Sequence, residues 1–112
     1  MADLAAIQAR LDRILDPYRA LLEPATIYNL PTIRRPGAKA HEWFAFVKPA
    51  TNHVSFFLMP MVTWPDLLDG CSPALLGAHQ AKSAFNFQSA DEAVMADLER
   101  LVARAYERYI AG

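Results

Sequence analysis

A chain of 112 residues, 54% hydrophobic and 21% charged, has the makeup of one globular domain able to bury a core without crosslinks. Its formal net charge of −1 sets up no overall field favouring nucleic acid or an anionic membrane surface. The single cysteine, Cys71, excludes an internal disulfide and a cysteine cluster for zinc, and no run reaches the ~20 apolar residues of a membrane span.

The opening MADLAAIQARLDR mixes acidic and basic residues and lacks the apolar centre of a signal peptide, so the expectation is a soluble cytoplasmic protein. Leu4, Ile7, Leu11, Ile14 and Tyr18 recur at spacings of three and four, the stripe of an amphipathic helix. Pro17 disfavours helical geometry at Asp16. Either the helix kinks there, or Asp16 caps a second helix with Pro17 at its first position. The stripe continues through Leu21 and Leu22, which predicts two helical pieces in close succession, ended near Pro24.

Thr26 to Ile33 is β-prone but broken by Pro31, which suits a short edge strand or an extended entry. Residues 34–42 read as a loop turning at Pro36 and Gly37. Its Arg34, Arg35 and Lys39 suit an anion or simply a flexible polar loop. Trp43 to Val47 reads as an apolar strand, and Lys48 to Asn52 as a connection into the central strand, His53 to Val62. The surrounding stretch Pro49–Pro65 contains no Asp, Glu, Lys or Arg. Alternation places Val54, Phe56 and Leu58 on one side and Ser55, Phe57 and Met59 on the other, so this strand is expected to be buried on both faces. Pro60 lacks an N–H and predicts a bulge or lost pairing near the strand's end.

Asp66 to Gly70 reads as a turn of helix ended by glycine. Ser72 and Pro73 are an N-cap and first helical residue, opening a short helix through about His79. Ser83 to Phe87 is a third strand. Ser89 with Glu92 makes a capping box for the last helix, whose apolar face carries Val94, Leu98, Leu101, Val102, Ala105 and Tyr109. The assembly is an α+β fold, one domain over 1–112: a two-layer α/β sandwich whose antiparallel sheet is covered by N- and C-terminal helices. The long apolar hairpin points to a homodimer that covers what so small a sandwich leaves open.

Few residues carry recognisable chemistry. Leu76 to Ser83 ends in the Lys-Ser of a phosphate loop but has Leu76 and Ala81 where glycines are required, and it leads into a strand. His41, His53 and His79 sit on different elements, without the i, i+4 partner that puts two metal ligands on one helical face. Cys71, near a helix start, has no base beside it in sequence and reads as an inert thiol. Arg100, Arg104 and Arg108 alternate with Asp97 and Glu107, as on a solvated mixed-charge face. On an extended third strand, Lys82, Ala84 and Asn86 share one face, and a cationic arm and an amide flanking a small residue suit a polar or anionic ligand. Lys82, Ser83 and Asn86, with Trp64 and His79, are therefore the candidate ligand-binding residues.

From Trp43 onward the chain resembles the family called domain of unknown function 1801, the YdhG-like proteins. The resemblance rests on Leu58-Met59-Pro60, then the Leu-Leu-x-Gly-x-Ser-Pro turn at 67–73, then Lys-Ser-x-Phe-Asn-Phe at 82–87 leading into the last helix. It covers about seventy residues and is weaker over residues 1–42. It implies the same sandwich with terminal helices. Most members are uncharacterised, and one branch is described as a frataxin-like iron chaperone, so iron enters by resemblance alone. That role needs exposed carboxylates, whereas the first helix interleaves Asp3, Asp12 and Asp16 with Arg10 and Arg13. Ala81 and Ala84 also stand where the family usually has Gly and Cys. The expected function is a non-catalytic binding module for a small polar or anionic ligand or a protein partner beside the third strand, with the iron chaperone as the alternative. No nucleic acid or membrane partner is expected.

Overall fold

The computed structural model describes residues 3–27 and 29–111. The first helix, α1 (Leu4–Arg19), is capped by Asp3, whose Oδ1 accepts the Ala6 N–H at 3.2 Å. It buries Ile7, Leu11, Ile14 and Leu15. It runs through Pro17 as one helix, in place of the two pieces the proline suggests. Pro17 lies in the last turn, where its missing N–H costs a single bond just before the helix stops. Leu21 and Leu22 then turn back, both donating to the Tyr18 carbonyl, at 3.0 and 2.8 Å.

The region 26–33 also departs from expectation. It is a hairpin of two strands, β1 (Glu23–Ile27) and β2 (Leu30–Arg34), where Pro31 suggests one edge strand. Tyr28, within that expected strand, lies outside the described residues. Asn29 adopts a left-handed φ of 61°, a conformation asparagine tolerates at tight turns. Pro31 is accommodated because β2 meets its other neighbour only at the Ile33–Ala45 pair.

β3 (Ala45–Pro49) and β4 (Val54–Leu58) form the expected antiparallel hairpin, with Val47 opposite Phe56. β4 ends at Leu58, not at Val62. Pro60 opens a single helical turn, α2 (Pro60–Thr63), followed by a 3-10 turn at Pro65–Gly70. A proline suits a first helical turn and cannot donate to a sheet ladder, so the chain leaves the sheet there. The next helix, α3 (Pro73–Gly77), is capped as read from the sequence: Ser72 Oγ accepts the Leu75 N–H at 3.2 Å. It stops at Gly77, so His79 lies in a strand and not in the helix. β5 (His79–Ala81) and β6 (Ala84–Phe87) then pair antiparallel, and Lys82 and Ser83 form the turn between them.

The final helix, α4 (Glu92–Ala111), is not opened by a Ser89–Glu92 capping box. Asp91 Oδ1 accepts from the N–H groups of Ala93 and Val94 at 2.9 and 3.3 Å, while Glu92 turns to Arg10 of α1. The cap thus sits two residues later than the serine, at the Asp91 that directly precedes the helix, and the glutamate is left free to join the two helices.

The sheet has six strands in the order β1-β2-β3-β4-β6-β5, each pair antiparallel. With α1 and α4 packed on it, this is the expected α+β sandwich. The main core combines Val54, Phe56, Leu58, Phe85 and Phe87 of the sheet with Leu11 and Leu15 of α1 and Leu98, Leu101 and Val102 of α4. Phe44, wholly enclosed, packs its ring among Tyr18, Tyr106 and Tyr109 at 5.2–5.9 Å.

The other sheet face is differently made. Phe57 lies opposite both Phe46 and Ala84, and Phe46 and Phe57 stack at 4.5 Å with Trp43 beside Phe46 at 4.9 Å. Phe46, Trp43 and Ala84 are buried, but Phe57 and Met59 are only half-buried, which tempers the expected two-sided burial. A strand flanked by small and aromatic neighbours can enclose most of a face without a second helical layer.

Candidate functional site

Cross-strand register organises a polar row on this second face. Lys48 of β3 lies opposite Ser55 of β4, and Ser55 lies opposite Asn86 of β6. Ser55 is buried, and its hydroxyl donates to Asn86 Oδ1 at 2.7 Å. The Asn86 backbone N–H is also held, by the Ala78 carbonyl at 2.8 Å. A carboxamide fixed at its oxygen and its backbone presents its remaining polar group, the NH2, in one direction.

That side chain lines a cavity of about 330 Å³ with His53, Gly77, Gln80 and Gln88. Gln80 donates its amide to the Gly77 carbonyl at 3.1 Å, and Gln88 donates its amide to the Asn52 carbonyl at 3.4 Å. Both glutamines thus have their donors turned to backbone and their carbonyl oxygens left as acceptors. The lining offers acceptors from Gln80 and Gln88, a donor from Asn86 and an imidazole from His53, and no charged side chain.

The candidate residues do not gather in one place. Asn86 lines this cavity. Lys82 and Ser83 sit in the β5–β6 turn, so Lys82 does not share a strand face with Asn86. His79, on β5, packs its ring 5.4 Å from Phe85 and meets the Lys82 carbonyl at 3.5 Å, stiffening that turn. Trp64 lines two other cavities. One, about 560 Å³, adjoins Asp66, Arg104 and Arg108, with the Arg108 guanidinium 5.2 Å from the indole centre. The other, about 380 Å³, adjoins Arg35, His41, Glu42 and Tyr109. The residues that sequence reasoning missed, Gln80, Gln88 and Ser55, are common polar types. Only the register reveals Ser55, and only the β5–β6 hairpin brings Gln80 beside Asn86.

The charged residues are mostly engaged with one another. Arg19 pairs with Asp12 and Asp16, Arg35 with Glu42, and Arg108 with Asp66. Arg35 also donates to the Tyr109 carbonyl at 3.3 Å, and the Tyr109 hydroxyl donates to the Glu42 carbonyl, so the 34–42 loop is tied to α4 and is not a free basic loop. Arg104 donates to the Leu67 carbonyl at 3.3 Å, so the α4 arginines hold the 3-10 turn as well as facing water. Cys71 is half-buried. Burial pushes its thiol above the ordinary value against the opposing pull of Arg104, which keeps it protonated at neutral pH.

Among the described residues, no group of three or more His, Cys, Asp or Glu side chains is placed to hold a metal ion. Among them, too, no helix is long and apolar enough to cross a membrane. No family model matches the chain, and no curated protein or solved structure gives a significant match.

Proposed function

We propose that the protein is a non-catalytic binding domain that takes a small, uncharged polar ligand in the cavity beside β6. The observation that carries this reading is the set of Asn86, Gln80 and Gln88 amides, each fixed at one end by the protein and open at the other. Fixed hydrogen-bonding groups in a concave site give orientation and specificity at little ordering cost. A ligand bearing both a donor and an acceptor, such as an amide or a polyol, matches the lining. The resemblance to YdhG-like proteins is compatible with this reading and, as most of that family is uncharacterised, does not specify the ligand.

Two-dimensional ¹H–¹⁵N spectra recorded with acetamide and nicotinamide, then with glycerol, test it. The expected result is saturable shifts at His53, Gln80, Asn86 and Gln88 that disappear in Asn86→Leu. Shifts scattered over the surface, or unchanged in that variant, would refute the reading.

A further inference from the structure

A cavity of about 690 Å³, larger than those described above, lies between α1 and α4. Arg10, Arg13, Ile14, Pro17 and Tyr18 come from α1, and Glu92, Ala96, Glu99, Arg100 and Ala103 come from α4. Each set follows the three-and-four spacing of one helical face, so two stripes confront each other along a groove. Ile14, Pro17, Ala96 and Ala103 give it an apolar floor, and the two alanines, seven residues apart, are too short to fill it.

The charges along this groove are unevenly matched. Arg10, its side chain 13% exposed, reaches Glu92 at 3.0 Å and Glu99 at 2.6 Å, so both glutamates are already answered within the protein. These contacts lower the Glu92 carboxyl below its ordinary range, with the Arg10 hydrogen bond the main cause. Arg13 has no carboxylate within ion-pair distance among the described residues. Arg100 has only a 3.4 Å contact with Asp97, whose other oxygen accepts the Ser72 N–H at 2.7 Å. The Tyr18 hydroxyl makes no hydrogen bond to a described residue, and burial, reinforced by Glu99, keeps it protonated and able to donate. The groove therefore has an apolar floor, one underused cation on each wall and a phenol donor.

We propose that this groove binds a small amphiphilic carboxylate, its apolar body on Ile14, Pro17, Ala96 and Ala103 and its anionic end between Arg13 and Arg100. The volume falls within the ~300–1,000 Å³ of small-molecule sites, and guanidinium groups match a carboxylate's geometry. The site shares no residue with the cavity beside β6, so either can fail without the other.

The test uses 4-phenylbutyrate, with 4-phenylbutanol as a neutral probe of the same body, by calorimetry and ¹H–¹⁵N spectra. The expected result is one-to-one binding of the carboxylate, with shifts on α1 and α4 around Arg13, Ala96 and Arg100. Arg13→Gln and Arg100→Gln should each weaken it about tenfold, as loss of one charge-assisted contact does. Both arginines are exposed, so these variants keep the fold, and Asn86→Leu should leave this binding unchanged. Equal binding of the alcohol, full binding by the double variant, or shifts outside the groove would overturn the proposal. So would a groove that takes an acidic amphipathic peptide but not phenylbutyrate.

Discussion

On the helix side of β4, Val54, Phe56 and Leu58 are completely enclosed, whereas on the other side Ser55 is buried and Phe57 keeps part of its ring at the surface. The same five residues thus serve two environments. The first is closed by leucines, valines and aromatics from both terminal helices, and its contacts are non-directional. The second is closed by a single aromatic row and continues into Lys48, Ser55 and Asn86, whose contacts depend on hydrogen-bond direction. Stability concentrates on the face where shape alone matters. The face with fixed donors and acceptors is the one open enough to receive a ligand.

The sharpest way to break this comparison is to truncate neighbours. Phe56→Ala should cost ~3–5 kcal/mol, as expected for a large aromatic removed from a sealed core. Phe57→Ala should cost less, ~1–2 kcal/mol, because part of its ring stays in water in either state and the stack on Phe46 adds a modest increment. Urea unfolding of the two variants decides the point. Equal costs would mean that the second face is as closed as the first.

A smaller effect separates polar burial from polar binding. Asp97 is buried at 5% exposure and accepts the Ser72 N–H that begins α3, which holds its carboxyl below the usual range. Asp97→Asn should therefore lose ~1–3 kcal/mol at neutral pH. Because the folded pKa is depressed, the wild-type advantage is present above the unfolded value near ~3.9 and is lost as pH falls through the folded value. Thermal melts of both proteins should differ by a constant amount above about pH 5, and the gap should narrow as pH falls below the unfolded value near ~3.9 and close only once it passes the lower folded value. A difference that persists unchanged into acid would show that the carboxylate charge contributes nothing.

Much of the fold was legible because hydrophobic periodicity is strong where burial is strong. The α1 and α4 stripes, the β3–β4 hairpin and the Ser72 cap all follow from local spacing. The misreadings cluster where a residue has two uses. Pro17 signals a break in mid-helix but is tolerated in a last turn, and Glu92 suits a capping box but is taken by Arg10 from the far end of the chain. Lys82 looks like a strand residue until β5 forms, and β5 is only three residues long, too short to show an alternation. Of the candidate site, Asn86 alone was reached for a reason that the geometry retains, its place beside the small Ala84 on β6. Gln80 and Gln88 carry no local signal at all, since a glutamine beside a turn is ordinarily a surface residue.

At the third step, Ser55→Ala tests the polar row itself. Among the described residues the hydroxyl is the one group that bonds Asn86 Oδ1, and the alanine methyl fits the same space. The loss in stability should be ~0.5–1.5 kcal/mol, the net worth of one hydrogen bond. Amide binding in the β6 cavity should weaken more than stability does, because an unanchored carboxamide rotates. Binding unaffected by the change would show that Asn86 is oriented by its backbone alone.

The smallest expected effect belongs to Lys82. Its place in the β5–β6 turn leaves the ammonium to solvent, and it lines none of the cavities described above. Lys82→Met removes the charge and keeps the length of the arm, so stability should stay within ~0.5 kcal/mol of wild type, as for surface sites without partners. Binding of acetamide should be unchanged, since the fixed groups at Gln80 on β5, Asn86 on β6 and Gln88 just after β6 lie outside the turn. The informative outcome is the opposite one. If Lys82→Met abolished binding while leaving the melt unchanged, the turn would have to fold its lysine over the cavity when a ligand arrives. The ligand would then carry a negative charge, and the uncharged lining described here would be only half of the site.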